Sequence, residues 1–307
     1  MFIEFEMERF QSLYENEVDY NLSDSGLHPL AIKDLLNKEE INHFLNMELG
    51  YGYTQGDPVL LNQVAQWYPG QSEKNILITN GSAEANFILT WSLIQPGDEI
   101  VMVLPNYMQV PGLAKIFGAR VKYIYLQEEL DWHLNMDELQ SLLTNKTKLI
   151  SICNPNNPTG AVMSAEELKQ LATLARKYDA YIHSDEVYRG SELNGRETNS
   201  CIEFYEKSII TCGLSKSFAH PGLRMGWLVA DESVINDLWS RKDYSSICAS
   251  VLSQYIAIKM MQPETRKKIH ARATSMLSTN VELFQNWLNS HPDLFSFVPP
   301  KAGGMAF

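Results

Sequence analysis

One lysine stands where an amine nucleophile could work. Lys216 follows the apolar run 208–211 and lies among small residues in the segment 213–217. Most lysines of a protein are exposed, solvated cations, and that is the alternative interpretation at this point. Burial would favour the neutral amine, which is a nucleophile toward a carbonyl carbon.

Two other charged side chains could act with this lysine. Asp185 follows the apolar segment 180–183, and a carboxylate buried there would require a cation opposite it. The alternative is an aspartate that caps a helix at the surface. Arg224 lies shortly after Lys216 and carries a planar fork of donors that fits a phosphate, although an exposed ion pair would also explain it.

Two turns present backbone and amide groups where strands are predicted to end. The turn 80–83 leads from an apolar run directly into a helical pattern, and free N–H groups at a helix start bind phosphate. Small residues in such a turn also serve merely to reverse the chain. The loop 153–160 contains two Asn-Pro steps, which stiffen the backbone and fix the direction of the amides. An ordinary proline-stiffened loop is the alternative.

The elements that must position these residues alternate from about residue 57 to 230. The segments predicted as strands are 76–79, 99–103, 121–125, 149–152, 180–183, 208–211 and 227–229. The predicted helices between them are 83–94, 108–117, 137–143 and 164–177, and the last opens with a capping box of Ser164 and Glu167. This alternation predicts an α/β fold with a mostly parallel central sheet flanked by helices. Such sheets bind ligands at the carboxyl ends of their strands.

Composition excludes several classes of protein. The chain has 307 residues, 45% of them hydrophobic, with 25 basic and 37 acidic side chains and a net charge of -12. An acidic chain without a run of Lys or Arg argues against nucleic acid or a membrane as partner. The acidic N-terminus and the lack of a long apolar run predict a cytoplasmic protein. Four scattered cysteines without a C-x-x-C pair predict no disulfide and no metal site.

Five motifs in one order resemble those of class I/II aminotransferases, which are pyridoxal-phosphate enzymes of fold type I. The motifs are T-x-G-x-x-x-A at 79–85, P-N-Y at 105–107, N-P-x-N-P-T-G at 154–160, S-D-E-V-Y at 184–188 and S-K-S-F-x-x-P-G-x-R-x-G at 215–226. The similarity runs from the segment 51–56 to the end of the chain. It implies transfer of an amino group between an amino acid and a 2-oxo acid.

The resemblance implies a role for each motif residue. Lys216 is expected to form the Schiff base with the aldehyde of pyridoxal 5′-phosphate and then to carry the substrate proton. Asp185 is expected to pair with the protonated pyridine nitrogen, which keeps the ring an electron sink. Tyr107 resembles the aromatic that stacks on the ring, while Asn157 and Tyr188 match the groups that hydrogen-bond its phenolic oxygen. The residues that match the phosphate cup are Ser82, Ala83, Ser215 and Arg224.

The resemblance also bears on the partner, the substrate and the domains. Tyr51 resembles the tyrosine that reaches the phosphate of a neighbouring subunit, so a homodimer is implied. Gly26 resembles the glycine beside the substrate carboxylate, although its segment could also be just a turn. The predicted parts are an N-terminal arm with part of the small domain (1–45), a large cofactor-binding domain (46–248), and an interdomain helix with an incomplete small α+β domain (249–307).

The chain departs from the family pattern at three places. Gly213 stands where some members have a phosphate-binding serine, and Leu61 stands where an arginine is usual. The segment 299–307 resembles the middle of the small domain, and relatives continue into a part that contains the arginine for the substrate α-carboxylate. No residue here can be assigned that role. We therefore expect a truncated member that binds the cofactor but turns over poorly.

The motifs leave other functions open. β-Lyases, cyclases and decarboxylases of fold type I share the lysine and the aspartate, and nothing determines the substrate side chain. A cofactor-binding sensor domain of a bacterial regulator would be preceded by a DNA-binding segment, for which residues 1–20 are too short and too acidic. An inert fragment without stable fold is the third alternative.

Overall fold

The computed structural model describes residues 3–307, so the first two residues of the predicted segment 1–45 lie outside the described residues. A seven-stranded sheet lies at the centre, in the order β1-β7-β6-β5-β4-β2-β3. The strands are β1 (Ile76–Thr79), β2 (Glu99–Leu104), β3 (Arg120–Tyr125), β4 (Thr147–Cys153), β5 (Tyr181–Asp185), β6 (Ser208–Gly213) and β7 (Gly226–Val229). Every predicted strand is confirmed, and the ends differ by one or two residues at most sites.

Eleven helices accompany the sheet in the described part of the chain. They are α1 (Glu6–Tyr14), α2 (Ile32–Leu35), α3 (Lys38–Leu45), α4 (Pro58–Ala65), α5 (Ser82–Leu93), α6 (Gln109–Ile116), α7 (Met136–Leu142), α8 (Ala165–Lys177), α9 (Glu232–Lys242), α10 (Val251–Met261) and α11 (Pro263–Asn289). The predicted capping box of α8 is confirmed, because the Glu167 amide donates to Ser164 Oγ while the Glu167 carboxylate accepts from the Ser164 amide.

The sheet is parallel except at β7. Strands β3, β2, β4, β5 and β6 are linked by parallel pairs, whereas β7 runs antiparallel to both β6 and β1. Parallel neighbours need a long crossover, usually a helix. The link from β6 to β7 contains a single 3-10 turn, Pro221–Leu223, and the chain therefore returns in the opposite direction. The predicted mostly parallel sheet is confirmed, with this exception.

The two faces of the sheet pack against different helices. Ile76 and Ile78 belong to one buried apolar core, while Leu77 between them belongs to a second core with Ile88 of α5 and Leu238 of α9. Successive strand residues point to opposite faces, so a strand covered on both faces is apolar throughout. This explains why the strands are recognisable as continuous apolar runs.

The C-terminal part is mainly helical. Helix α10 packs against α4, and α11 extends for 27 residues. Within residues 3–307 no helix is long and apolar enough to cross a membrane. The segment after α11 returns to the sheet, where the amides of Lys301 and Ala302 donate to the carbonyl of Gly160 and the amide of Gly303 donates to Ser191 Oγ. This return brings Gly304 beside the backbone carbonyls of Ser25 and Gly26.

Candidate active site

Three predicted site segments meet at the carboxyl ends of the central strands. Asp185 is the last residue of β5, and it lies in register between Cys153 at the end of β4 and Thr211 of β6. The loop 154–160 continues from β4, and Lys216 follows β6. Parallel strands that end at one edge thus bring together residues that are far apart in the chain.

The carboxylate of Asp185 is buried without a cation bound to it. The side chain is 7% exposed, and within residues 3–307 it makes no salt bridge. Burial raises its pKa to about 6, against the opposing effects of the Val187 amide, the charge of Lys216 and a hydrogen bond from Asn86. A buried carboxylate in this state is stabilised by a cationic group placed opposite it. The expected buried aspartate is therefore present, and the surface-cap alternative is wrong.

The amine of Lys216 lies on the same side of the site but is only half-buried. Its Nζ donates a hydrogen bond of 2.9 Å to Ser25 Oγ, which also accepts a 2.8 Å bond from the phenol of Tyr188. Ser25 therefore joins two of the predicted catalytic side chains. The sequence pointed to its neighbour Gly26, whose amide instead donates to Asp24 Oδ1 at 2.7 Å.

The phenol of Tyr188 is held in its protonated form. Its side chain is almost wholly buried, and burial raises its pKa far above the ordinary value. The C-terminal return segment passes close to it, since an ideal Cβ on Gly303 would lie 3.4 Å from Tyr188 Cδ1. Tyr188 is thus a hydrogen-bond donor, as its predicted role requires.

The start of α5 forms a cradle under an arginine. Gly81 has φ +82°, and the first residues of the helix are Ser82 and Ala83, with no side-chain cap on their free amides. An ideal Cβ on Gly81 would lie 2.5 Å from Nη2 of Arg224, so the guanidinium covers the helix start directly. Amides, helix dipole and guanidinium together bind an anion such as a phosphate. Ser215 lies half-buried between β6 and Lys216.

Two departures from the family pattern have structural explanations. An ideal Cβ on Gly213 would lie 2.7 Å from the carbonyl oxygen of Met225, so the tight pairing of β6 with β7 leaves no room for a serine. Leu61 on α4 is buried in the main apolar core, where an arginine would need a partner for its charge.

The side chain of Tyr107 is partly buried at the site. Burial raises its pKa far above the ordinary value, and the charges of both Asp185 and Arg224 act on it. Its phenol donates a 2.7 Å hydrogen bond to Glu8 Oε1, and the ring of Phe5 contacts it edge-on at 5.0 Å between centroids. The N-terminal residues thus cover this ring, a contact that the sequence did not reveal.

The amides of the loop 154–160 divide into two groups. Asn154 Oδ1 accepts from the Met163 amide at 2.9 Å, and Asn156 Oδ1 accepts from Thr159 Oγ1 at 2.7 Å. These two side chains hold the loop in shape. The half-buried side chain of Asn157 makes no hydrogen bond within residues 3–307, so it can bond to a ligand.

Tyr51 is 87% exposed on the surface, which agrees with a role toward another subunit. Asn86 of α5, which the sequence interpretation missed, is 2% exposed and donates to Gln109 Oε1 at 3.3 Å. The sequence could have indicated Asn86, because it lies one turn after Ser82 on a helix that begins at the site and therefore shares the face of Ser82.

These features fit pyridoxal 5′-phosphate. The buried Asp185 lacks a bound cation, the glycine cradle at α5 lies under Arg224, and Lys216 Nζ reaches into the space that Ser25 and Tyr188 border. Asp185 fits a protonated ring nitrogen, the cradle fits a phosphate, and Lys216 fits an aldehyde.

Comparisons with known proteins point the same way. The family model of the class I and II aminotransferases matches residues 16–305. An aspartate aminotransferase of Musicola paradisiaca is 30% identical over 66% of this chain and 53% of its own length. A probable aspartate aminotransferase of Methanocaldococcus jannaschii is 33% identical over 61% of this chain and 51% of its own length. The chain therefore spans about half the length of the curated relatives it matches.

Among solved structures, a PLP-dependent aminotransferase from Streptococcus suis superposes with a TM-score of 0.92. The two chains are 32% identical, and the superposition covers 98% of this chain and 81% of the other. The cofactor of this family is pyridoxal phosphate. Because the family model covers nearly all of the sequence, the chain belongs to the class I and II aminotransferase family.

Proposed function

We propose that this chain is a pyridoxal-phosphate-dependent aminotransferase that moves an amino group between an amino acid and a 2-oxo acid. The observation that carries the proposal is the convergence of Lys216, the buried Asp185 and the α5 cradle under Arg224 at one edge of the sheet. Each of these features has another explanation when it is taken alone. Together they correspond to the reactive end, the ring nitrogen and the phosphate of one cofactor.

The residues that would hold the cofactor follow from the site. The amides of Ser82 and Ala83, the hydroxyl of Ser215 and the guanidinium of Arg224 would bind the phosphate. When bound, the cofactor supplies a carbonyl carbon for the amino group and a protonated ring that accepts the electron pair of the Cα–H bond. Asp185 would keep the ring nitrogen protonated, and Tyr107 would stack on the ring. Asn157 and Tyr188 would hold the phenolic oxygen.

Lys216 is proposed as the group that moves the substrate proton. A neutral amine removes a proton from Cα, and the ammonium form then returns it at a neighbouring carbon. Ser25 Oγ accepts hydrogen bonds from both Lys216 and Tyr188, so it holds the Lys216 amine in a defined position. Tyr188, buried and protonated, donates rather than accepts. Ser25 and Tyr188 thus orient the lysine, and Lys216 carries the proton.

The assay that tests this function separates transfer from the other reactions of fold type I enzymes. The purified chain, supplied with cofactor, is given one amino acid at a time without any 2-oxo acid. Transamination predicts stoichiometric conversion to pyridoxamine phosphate and formation of the matching 2-oxo acid. Ammonia with pyruvate would indicate a β-lyase, and carbon dioxide a decarboxylase. If the chain forms a coloured complex with the cofactor but gives no product from any amino acid, it binds the cofactor with little activity.

A homodimer is part of the proposal. The exposed side chain of Tyr51 lies in a stretch with three other exposed apolar side chains, Leu45, Leu49 and Tyr53. Contiguous exposed apolar side chains are typical of an interface. Sedimentation velocity should therefore give a dimer mass, and a monomer at micromolar concentration would contradict it.

We also propose a cytoplasmic location. The cysteines Cys153, Cys201, Cys212 and Cys248 are all free thiols, and three of them are buried. Free thiols are the usual state in a reducing compartment. Fractionation of the source cells with an antibody to the chain tests this location.

A further inference from the structure

Helix α1 and the residue before it turn one apolar and two polar side chains toward the site. The partly covered side chains at this end of the chain are Phe5, Glu8 and Gln11, which are spaced three residues apart. Its larger apolar side chains are exposed, namely Met7, Phe10, Leu13 and Tyr14. A helix that docks for stability alone buries its apolar stripe. The covered position of Glu8 therefore requires another explanation.

Glu8 reaches the aromatic ring that the proposed function places on the cofactor. Its Oε1 accepts a 2.7 Å hydrogen bond from the phenol of Tyr107, whose pKa also responds to Asp185 and Arg224. Gln11 fixes the same helix to the rim by donating to the carbonyl of Ser23, two residues before Ser25. The carboxylate thus lies one side chain away from the space that the substrate must enter.

Nothing in the described residues neutralises this carboxylate. Within residues 3–307 Glu8 makes no salt bridge, and its second oxygen, Oε2, has no hydrogen bond. Oε2 of this partly covered carboxylate stays open to solvent, so a ligand that brings a cation can pair with it there. A ligand that carries its own second carboxylate would meet repulsion at the same place.

We infer that Glu8 makes this site select amino donors whose side chain ends in a cation, an ammonium or a guanidinium group. The inference rests on the proposed function, because it assigns the side-chain end of that reaction's substrate. It differs from what the relatives' names would suggest, since those name aspartate as the substrate. A terminal cation of the donor would pair with Glu8 Oε2, and Oε1 would stay with Tyr107.

Arg272 of α11 is the arginine that an acidic donor would need, but it is already hydrogen-bonded. Its guanidinium donates at 2.9 Å to the carbonyl of His28, in the same segment as Ser25. An acidic donor would have to draw this arginine away from that carbonyl. Among the described residues Glu8 by contrast has an oxygen with no hydrogen bond to lose, and this difference favours the cationic donor.

The kinetic test compares ornithine, norvaline and aspartate as donors. Ornithine differs from norvaline by one terminal ammonium, so the ratio of their kcat/KM values isolates the charge. We expect ornithine to exceed norvaline by on the order of tenfold, and aspartate to be the poorest. Glu8→Gln keeps the acceptor for Tyr107 and should bring the ratio of ornithine to norvaline near one. Glu8→Lys should favour aspartate over ornithine.

The matched control is Glu6→Gln, which removes the same charge from the same helix at an exposed position. It should leave the ratio unchanged. A ratio that Glu8→Gln does not alter, or that Glu6→Gln alters equally, would overturn the inference. Preference of the unchanged chain for aspartate would also overturn it and would assign the side-chain pocket to Arg272.

A binding measurement keeps this inference separate from the proposed reaction. 2-Methylornithine and 2-methylaspartate lack the Cα hydrogen, so calorimetry on the cofactor-loaded chain reports affinity without transfer. Tighter binding of 2-methylornithine, lost in Glu8→Gln, supports the inference even if no donor is turned over. Equal binding of the two analogues contradicts it, whether or not transamination is observed.

Discussion

Tyr188 donates a 2.8 Å hydrogen bond to Ser25, a residue 163 positions earlier in the chain. The same hydroxyl accepts from Lys216 at 2.9 Å, so one small side chain of the N-terminal segment connects the S-D-E-V-Y motif to the lysine of the S-K-S-F motif. The N-terminal segment is therefore part of the site and does more than cover it.

Ser25→Ala should lower activity without lowering cofactor content. Loss of the shared acceptor leaves the amine of Lys216 without its observed partner, and a hydrogen bond to a charged group contributes about 1.5–3 kcal/mol. We expect kcat to fall roughly tenfold to a hundredfold and its pH profile to shift, because proton transfer by Lys216 is affected. The control is Ser23→Ala, since within residues 3–307 Ser23 Oγ bonds only to Asn21 on the exposed rim. Equal loss in both variants would refute a specific role for Ser25.

Asp185→Asn should change the pH dependence of stability of the cofactor-free chain. The folded carboxyl has its pKa raised from 3.8 to about 6, so the folded state binds more protons than the unfolded state between these values. Stability therefore falls as the pH rises through this window and stays low above it. The asparagine variant should lack this fall. The difference in unfolding free energy between variant and parent should therefore change by up to about 3 kcal/mol in favour of the variant when the pH is raised from 3 to 7.

Urea unfolding from pH 3 to pH 8 measures this effect. The comparison is between variant and parent, because the neighbouring Glu186 has its pKa raised by burial to about 7 and contributes equally to both. With cofactor bound the parent should be more stable than the variant at neutral pH, since the variant lacks the charge opposite the ring nitrogen. A difference in unfolding free energy that does not vary with pH would contradict the assignment of Asp185.

Arg224→Ala should weaken cofactor binding more than it affects the fold. The guanidinium is exposed and covers the start of α5, so its loss removes charge-assisted bonds to the phosphate. We expect the dissociation constant of pyridoxal phosphate to rise on the order of tenfold to a hundredfold, measured by fluorescence titration. Arg241→Ala, which breaks an exposed ion pair with Asp237, is the control. Unphosphorylated pyridoxal should show no difference between Arg224→Ala and the parent.

Gly213→Ser tests whether strand packing explains the glycine at this place. An added Cβ would lie 2.7 Å from a backbone carbonyl oxygen, which forces a shift in the pairing of β6 and β7. Overpacking of this kind costs about 1–3 kcal/mol. Chemical denaturation should show that loss, while Gly222→Ser, where a Cβ meets no atom within 4 Å, should show little. Unchanged stability of Gly213→Ser would contradict the packing argument.

The sheet was predictable because its strands are buried on both faces. Leu77 and Ile78 point to opposite cores, so each strand is a continuous apolar run that stands out from the helices. The direction of β7 was not predictable from its own residues, because Trp227 is equally apolar in either orientation. The short connection without a crossover helix determines that direction.

The site residues that belong to sequence motifs were predictable, whereas those that reach the site through tertiary contacts were not. Asp185 and Arg224 lie in segments whose residue types suggest their chemistry. Glu8 lies in a segment without such a pattern, whereas Ser25 lies beside Gly26, which the resemblance indicated, but was not itself predicted. The two side chains reach the site through contacts with Tyr107 and Lys216, which lie 99 and 191 positions later in the chain. Sequence spacing carries no information on such contacts.

The most direct test of the account is chemical trapping of the amine. The chain is incubated with pyridoxal phosphate, reduced with borohydride, digested and mapped by mass spectrometry. We predict one phosphopyridoxyl group on Lys216, and none after Lys216→Ala, in a chain that keeps its fold by circular dichroism. A label spread over surface lysines, or a single label on another residue such as the buried Lys242, would contradict it.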